Sequence, residues 1–348
     1  MEIKELLEKT LEAEASDMHL IVELPPMMRV HGHIQKTNYE ILTAESNKEM
    51  LYKILSEEQI KVLENEKELD LAYHLPGKAR FRVNIFYQRK GLSAAFRTIP
   101  MKIRTIQELG MPEVLAKITE RARGLVLVTG PTGSGKTTTL AAMIDHVNRT
   151  RCEHIITVEE PIEYVHEPQK CIINQREVKV NTKSFANALR ASLREDPDII
   201  MVGEMRDLET IALAITAAET GHLVFGTLHT SSAPKTCDRL IDVFPPEQQN
   251  QIRTMFSESI VAVLCQALIP KKDGTGRVAA LEIMIGTQAV KGLIREGKTY
   301  QLSSVIQTSK QIGMQSLDQD LRDLVMKGVI AKEEATKRAN NPGIFEQP

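Results

Sequence analysis

The run GLVLVTGPTGSGKTTT, from Gly124 to Thr139, constrains this chain more than any other stretch. A short, wholly apolar segment leads into a loop that fits G-x-x-x-x-G-K-S/T, with Gly130, Gly135, Lys136 and Thr137 at the fixed positions. In such a loop the stretch Gly130, Pro131, Thr132, Gly133, Ser134, Gly135, Lys136, Thr137 and Thr138 curls around the phosphates, and its backbone N–H groups, which every residue but Pro131 has, point at the phosphate oxygens. The helix that follows adds its positive N-terminal end. Lys136 is placed for the β- and γ-phosphates, and Thr137 offers its hydroxyl to magnesium. A Gly-rich turn can match this pattern by accident. The strand before it and the helix after it are the context the chemistry requires, so ATP with Mg2+ is the expected ligand.

Around that loop the chain has one rhythm. GLVLVTG, HIITVEE, DIIMVG and HLVFGTLH are apolar strands separated by helical stretches. Strands without polar alternation are buried on both faces, which predicts a mostly parallel sheet covered by helices on either side, an α/β fold. Residues 1–100 read differently. After an amphipathic helix with Ile3, Leu6, Leu7, Thr10 and Leu11 on one face come MHLIVEL, MMRVHGHI turning at Gly32, one charged helix over residues 44–68, and three alternating strands broken at Pro76-Gly77 and Gly91. That is a small α+β domain. Proline and glycine interrupt the junction RTIPMKIRTIQELGMPEVL. The expected organisation is a domain over 1–100, a linker over 101–112, a core over 113–285 and a helical region over 286–348.

Hydrolysis needs acids as well as a phosphate loop. ITVEEPIEY puts Glu159, Glu160 and Glu163 after a strand, at the edge where parallel sheets bind ligands. Any of the three can order a magnesium-bound water or polarise the attacking one. A single glutamate there would read as a solvated loop acid; three with Pro161 among them favour function. DPDIIMVGEMRD ends its apolar strand on Gly203-Glu204, where an aspartate is the commoner magnesium partner. Glutamate still serves through a water, because magnesium sheds water reluctantly. HLVFGTLH leaves His229 at the same edge, whereas His222 begins the strand and belongs at the far end.

Bulk properties exclude other classes. With 42% hydrophobic and 26% charged residues and a net charge of -2, the chain has material for a core and no basic excess for nucleic-acid backbone. No tryptophan and 4% aromatic residues give no stripe for stacking bases, so no nucleic-acid partner is expected. Cys152, Cys171, Cys237 and Cys265 form no CxxC and fit a reducing compartment. The charged start is no signal peptide, and the longest apolar run, IVAVLCQALI, is too short to span a bilayer, so a cytoplasmic protein is expected.

In order, the phosphate loop, ITVEEPIEY, LREDPDIIMVGEMRD and TAAETGHLVFGTLHTSSA closely resemble the Walker A, Asp-box, Walker B and His-box motifs of the ATPases that power type II secretion and type IV pili. The glutamate ending at Glu204 is usual in that family. SDMHL, PPMMRVHG, RFRVNIFYQRKGLSAAFRTIP and GMQSLDQDL extend the resemblance, which is greatest to pilus retraction ATPases. Assembly and secretion ATPases usually carry a larger N-terminal region and a four-cysteine insert that this sequence lacks.

The resemblance implies a PAS-like first domain, a RecA-like second, and a homohexameric motor. ATP hydrolysis would move the domains about a hinge near residues 98–112. The partners implied are an inner-membrane platform protein and, through it, pilins, met at the inner face of the cytoplasmic membrane. Glu163 then corresponds to the catalytic base or water-orienting acid, Glu204 to the Walker B glutamate, and His222 and His229 to the His-box histidines. Arg82 and Arg97, and more weakly Arg80, match the first-domain arginines that reach the nucleotide. Two departures stand out. Glu160 replaces the usual aspartate, and the retraction motif Ala-Ile-Arg-Asn-Leu-Ile reads AVKGLI at Ala289–Ile294.

Overall fold

The computed structural model describes residues 2–30, 32–99 and 102–345. The chain forms two compact units, Met1–Lys102 and Ile103–Pro348. Pro100 and Met101, within the expected hinge, lie outside the described residues.

The first unit opens with α1 (Ile3–Glu12), which buries Ile3, Leu6, Leu7 and Thr10 on one face. Strands β1 (Asp17–Leu20), β2 (Met27–Val30) and β3 (His33–Lys36) follow, then α2 (Ala44–Tyr52) and α3 (Glu57–Glu66), then β4 (Glu68–Leu75), β5 (Ala79–Gln88) and β6 (Gly91–Ile99). The sheet is antiparallel in the order β3-β2-β1-β6-β5-β4. The stretch expected as one helix over 44–68 is two helices. Ser56 accepts from the Gln59 backbone N–H and Gln59 reciprocates, a capping box that starts a new helix where the charged sequence alone showed no break. Phe81, Val83, Ile85 and Phe96 pack with Leu6 and Leu7 as the core of this unit.

Across this sheet, Arg29, Asp17, Arg97 and Arg82 stand in one register row. Arg97 Nε donates to Asp17 Oδ1 at 2.9 Å, and Arg29 Nε lies 3.7 Å from Oδ2. Arg82 is exposed at the end of that row, and Arg80 lies two residues away on the same strand face.

The second unit holds α4 (Val114–Thr119), β7 (Gly124–Thr129), α5 (Lys136–Thr150), β8 (His154–Glu159), β9 (Ile172–Glu177), α6 (Phe185–Ser192), β10 (Ile199–Val202), α7 (Leu208–Glu219), β11 (Leu223–Leu228), α8 (Ala233–Asp242) and α9 (Pro246–Ser259). It continues with β12 (Ile260–Pro270), β13 (Arg277–Ile285), α10 (Gln288–Arg295), α11 (Leu302–Thr308), α12 (Leu317–Met326) and α13 (Lys332–Thr336). The sheet order is β13-β12-β7-β11-β10-β8-β9, with only β13 antiparallel to its neighbour.

Successive residues of β7 feed opposite layers, as strand geometry demands. Leu125 and Leu127 join the core beneath α7, α8 and α9; Val126 and Val128 join the one beneath α5. This is the mixed α/β architecture expected of the core. Three strands were not anticipated. β9 precedes α6 where only a helix was expected, β12 uses the apolar run that first drew notice for its length, and β13 follows it at Arg277–Ile285. No helix among the described residues is long and apolar enough to cross a membrane.

Candidate nucleotide site

Because the strands are parallel, the loops after β7, β8, β10 and β11 open at one edge of the sheet, and β12 reaches the same edge beside β7. The phosphate loop sits there. Gly130 has φ 141°, and a Cβ at this position would meet the Gln266 carbonyl oxygen at 2.3 Å. Gly135, at φ 89°, would place a Cβ 2.8 Å from Gln266 Nε2. Both positions therefore demand glycine for conformation and for space.

Gln266 grips the loop from β12. Its Nε2 donates to the Ser134 carbonyl at 2.7 Å, and its Oε1 accepts from Thr139 Oγ1 at 2.7 Å. This residue was missed in the sequence; the available signal was a single amide interrupting an apolar run.

Lys136 Nζ donates to the loop's own carbonyls at Gly130 (2.9 Å) and Pro131 (3.1 Å). Burial lowers its pKa, while the Glu204 and Glu163 carboxylates act to raise it, so both acids lie within electrostatic reach of the ammonium. No side chain caps α5 at Gly135, which leaves the first-turn N–H groups of Lys136, Thr137 and Thr138 facing the loop opening.

The acids divide by environment. Glu204 follows β10 and is held at both oxygens, by His229 Nε2 at 2.9 Å on Oε1 and by Arg206 Nη2 at 2.6 Å on Oε2. The Arg206 hydrogen bond, aided by His229, keeps its carboxyl below the usual carboxylate range against partial burial. Arg206 is a second residue the sequence reading passed over, though it lies two positions after Glu204 in GEMRD. Glu163 is half-buried on the loop after β8, and among the described residues no side chain hydrogen-bonds its carboxylate.

Glu159 and Glu160 are both engaged by protein groups. Glu159 is 4% exposed, accepts from Thr157 Oγ1 at 2.6 Å and Gln175 Nε2 at 3.1 Å, and is pushed up to about 7 by burial. Glu160 pairs with Lys179 at 2.9 Å. His222 precedes β11 and lies next to Gly124, at the opposite edge of the sheet from the loop, roughly 20 Å away by strand rise. Its Nδ1 lies 2.9 Å from the Ala217 carbonyl. Arg80, Arg82 and Arg97 belong to the first unit.

The chemistry of the donors fits a nucleotide that brings its own magnesium. Among the described residues no cluster of three His, Cys, Asp or Glu groups could hold a metal ion alone. A hydroxyl at Thr137 and a carboxylate at Glu204 suit an ion otherwise coordinated by phosphates and water. Ser134 Oγ, buried without a hydrogen-bond partner, adds one uncommitted polar atom inside the loop.

The profile of the Type II/IV secretion system protein family matches residues 1–337. The chain belongs to that family. It is 56% identical over 345 residues to the type IV pilus retraction ATPase PilT of Pseudomonas aeruginosa, covering 99% of this chain and 100% of that protein. A twitching motility protein of Neisseria gonorrhoeae is 53% identical over 316 residues, 91% of this chain and 84% of its own length. Among solved structures, a crystal structure of the pilus retraction motor PilT with bound ADP superposes with a TM-score of 0.93 at 46% identity, covering 99% of each chain. Membership of this family and the match to that structure agree with the nucleotide site read from the loop.

Proposed function

We propose that this chain is a magnesium-dependent ATP hydrolase and the motor of type IV pilus retraction, working as a homohexamer at the cytoplasmic face of the inner membrane. One observation carries the reading. A chain 56% identical to a pilus retraction ATPase over that protein's whole length brings Lys136, Glu163, Glu204 and His229 to one edge of its sheet. The partners in this reading are an inner-membrane platform protein and, through it, pilins. The first unit is PAS-like and the second RecA-like, with domains over 1–100 and 113–285, a linker between them and a helical region from 286 to 348.

The loop from Gly130 to Thr138 binds the phosphates, and Lys136 leaves its own carbonyls for the β- and γ-phosphate oxygens. Thr137 and Glu204 would hold magnesium, which would supply charge neutralisation at the phosphates. Glu163 orients the attacking water. His229 and Arg206 fix the aim of Glu204. Arg82 and Arg97, and more weakly Arg80, supply positive charge to the γ-phosphate; Arg97 is oriented within its own unit by Asp17. His222, Glu159 and Glu160 are outside this set for the reasons of placement given above.

A second reading is a paralogue that hydrolyses ATP without driving retraction itself, and the altered AVKGLI motif favours it. Its apolar frame is intact, since Val290 and Ile294 are buried in α10. Lys291 Nζ instead donates to the Glu258 carbonyl at 2.7 Å, and Arg295 pairs with the Glu258 carboxylate at 3.1 Å.

Phosphate release should be followed with and without magnesium over a range of protein concentrations, for the parent and for Glu163→Gln. Activity that needs magnesium, rises with concentration and drops steeply in the variant supports an assembled hydrolase. Absence of turnover with ATP binding intact sinks it. Restored twitching in a strain lacking its retraction ATPase separates the two readings.

A further inference from the structure

We propose that Gln175, on edge strand β9, is a positioning residue for Glu163. The segment after β8 that carries Glu163 has no regular secondary structure of its own. Gln175 holds it after the acid and also grips the last residue of β8 before it. Its Nε2 donates to Glu159 Oε1 at 3.1 Å, before Glu163, and to the Tyr164 carbonyl at 2.8 Å, after it. Its Oε1 accepts from the His166 backbone N–H at 2.8 Å. The amide thus uses its donor and acceptor ends on two points of the loop and on the Glu159 side chain at the end of β8.

Two residues along β9, and therefore on the same strand face, Glu177 Oε2 accepts from the Ile162 backbone N–H at 3.1 Å. The other side of the loop is tied to the phosphate-loop helix, where the Tyr164 hydroxyl lies 3.0 Å from Thr138 Oγ1. The Glu163 carboxylate has no side-chain hydrogen bond of its own among the described residues. Its direction is consequently set by its backbone, which Gln175 holds at Tyr164 and His166 while Glu177 holds it at Ile162. A catalytic group moved by about 1 Å can lose about a hundredfold in rate while the rest of the site is untouched.

The inference rests on Glu163 acting on the attacking water. Four proteins test it: the parent, Gln175→Ala, Glu163→Gln and the double variant, each measured for kcat, KM and the affinity for a non-hydrolysable ATP analogue. Gln175→Ala should lower kcat by about 10- to 100-fold, with KM and analogue affinity within about twofold of the parent. In the Glu163→Gln background the same change should cost nothing further, because a mispositioned group that is already absent cannot be lost twice.

An equal loss in both backgrounds, or a loss of analogue affinity that parallels kcat, would show that Gln175 only supports the fold and would overturn the inference. Unchanged kcat in Gln175→Ala, with Glu163→Gln inactive, overturns it as well while leaving the role of Glu163 standing. Normal turnover in Glu163→Gln removes the underlying reading and this inference together. Should Gln175→Ala fail to fold, Gln175→Met fills the same length without hydrogen bonds and is judged by the same outcomes.

Discussion

Glu204 Oε1 lies 2.9 Å from His229 Nε2, so the ends of two adjacent strands, β10 and β11, are joined by their side chains at the ligand edge. The other Glu204 oxygen is held by Arg206, and losing the histidine leaves the carboxylate charged but free to turn about that one contact. His229→Ala should lower kcat by about 10- to 100-fold, the range set by one hydrogen bond to a charged group. Affinity for a non-hydrolysable ATP analogue should change by less than about threefold. A binding defect as large as the rate defect would place His229 on the nucleotide instead.

Gln266 is 4% exposed and fully engaged, so its removal strands two buried partners, the Ser134 carbonyl and the Thr139 hydroxyl. Gln266→Leu keeps most of the volume. It should destabilise the second unit by about 1–3 kcal/mol and weaken nucleotide binding by about tenfold. Thermal melts with and without ATP read both effects. An unaltered affinity would mean that the phosphate loop holds its shape without the clamp.

Gly292 lies inside α10 with no atom within 4 Å of where a Cβ would stand. Gly292→Ala should therefore stabilise the protein by up to about 1 kcal/mol, raising Tm by about 2–4 °C. ATP turnover should be unchanged. A lower Tm would show that the helix needs the glycine for a reason outside its own packing.

His166 is 5% exposed, and burial holds it down to about 4, well below its ordinary 6.5. Between those values the unfolded chain binds a proton that the folded chain refuses, so this group stabilises the fold above about pH 6.5 and that contribution is lost as pH falls toward 4. Its size is up to about 3 kcal/mol. Glu159, raised to about 7, has the opposite slope in an overlapping window, so the useful quantity is the difference between proteins. In chemical denaturation from pH 7 to pH 4, His166→Gln should lose less stability than the parent. Equal slopes would mean that the imidazole is hydrated in the native state.

The parts of this molecule that were legible in the sequence are those where one local rule decides the outcome. The phosphate loop carries its glycines because Gly130 and Gly135 have no room for a side chain, and that requirement is written at those positions. The all-apolar runs of β7, β8, β10 and β11 show burial on both faces directly. What stayed hidden is set by partners distant in the chain. Nothing in ITVEEPIEY says that Glu159 turns inward to Thr157 and Gln175 while Glu160 turns out to Lys179; the neighbouring strand β9 decides it. Likewise β12 reads as an apolar run of ambiguous type, and only its place beside β7 gives Gln266 a task. The break between α2 and α3 was local and readable, at Ser56 with Gln59, but a continuous charged pattern masked it.

The clamp on the phosphate loop also has a consequence for synthesis. Ser134 and Gln266 are 132 residues apart in the chain, and β12 is the neighbour that closes the exposed side of β7. A nascent chain that has emerged only as far as α9 already displays the whole glycine-rich signature, yet it lacks the strand that shapes it. The clamped form of the phosphate loop thus waits until translation has delivered β12.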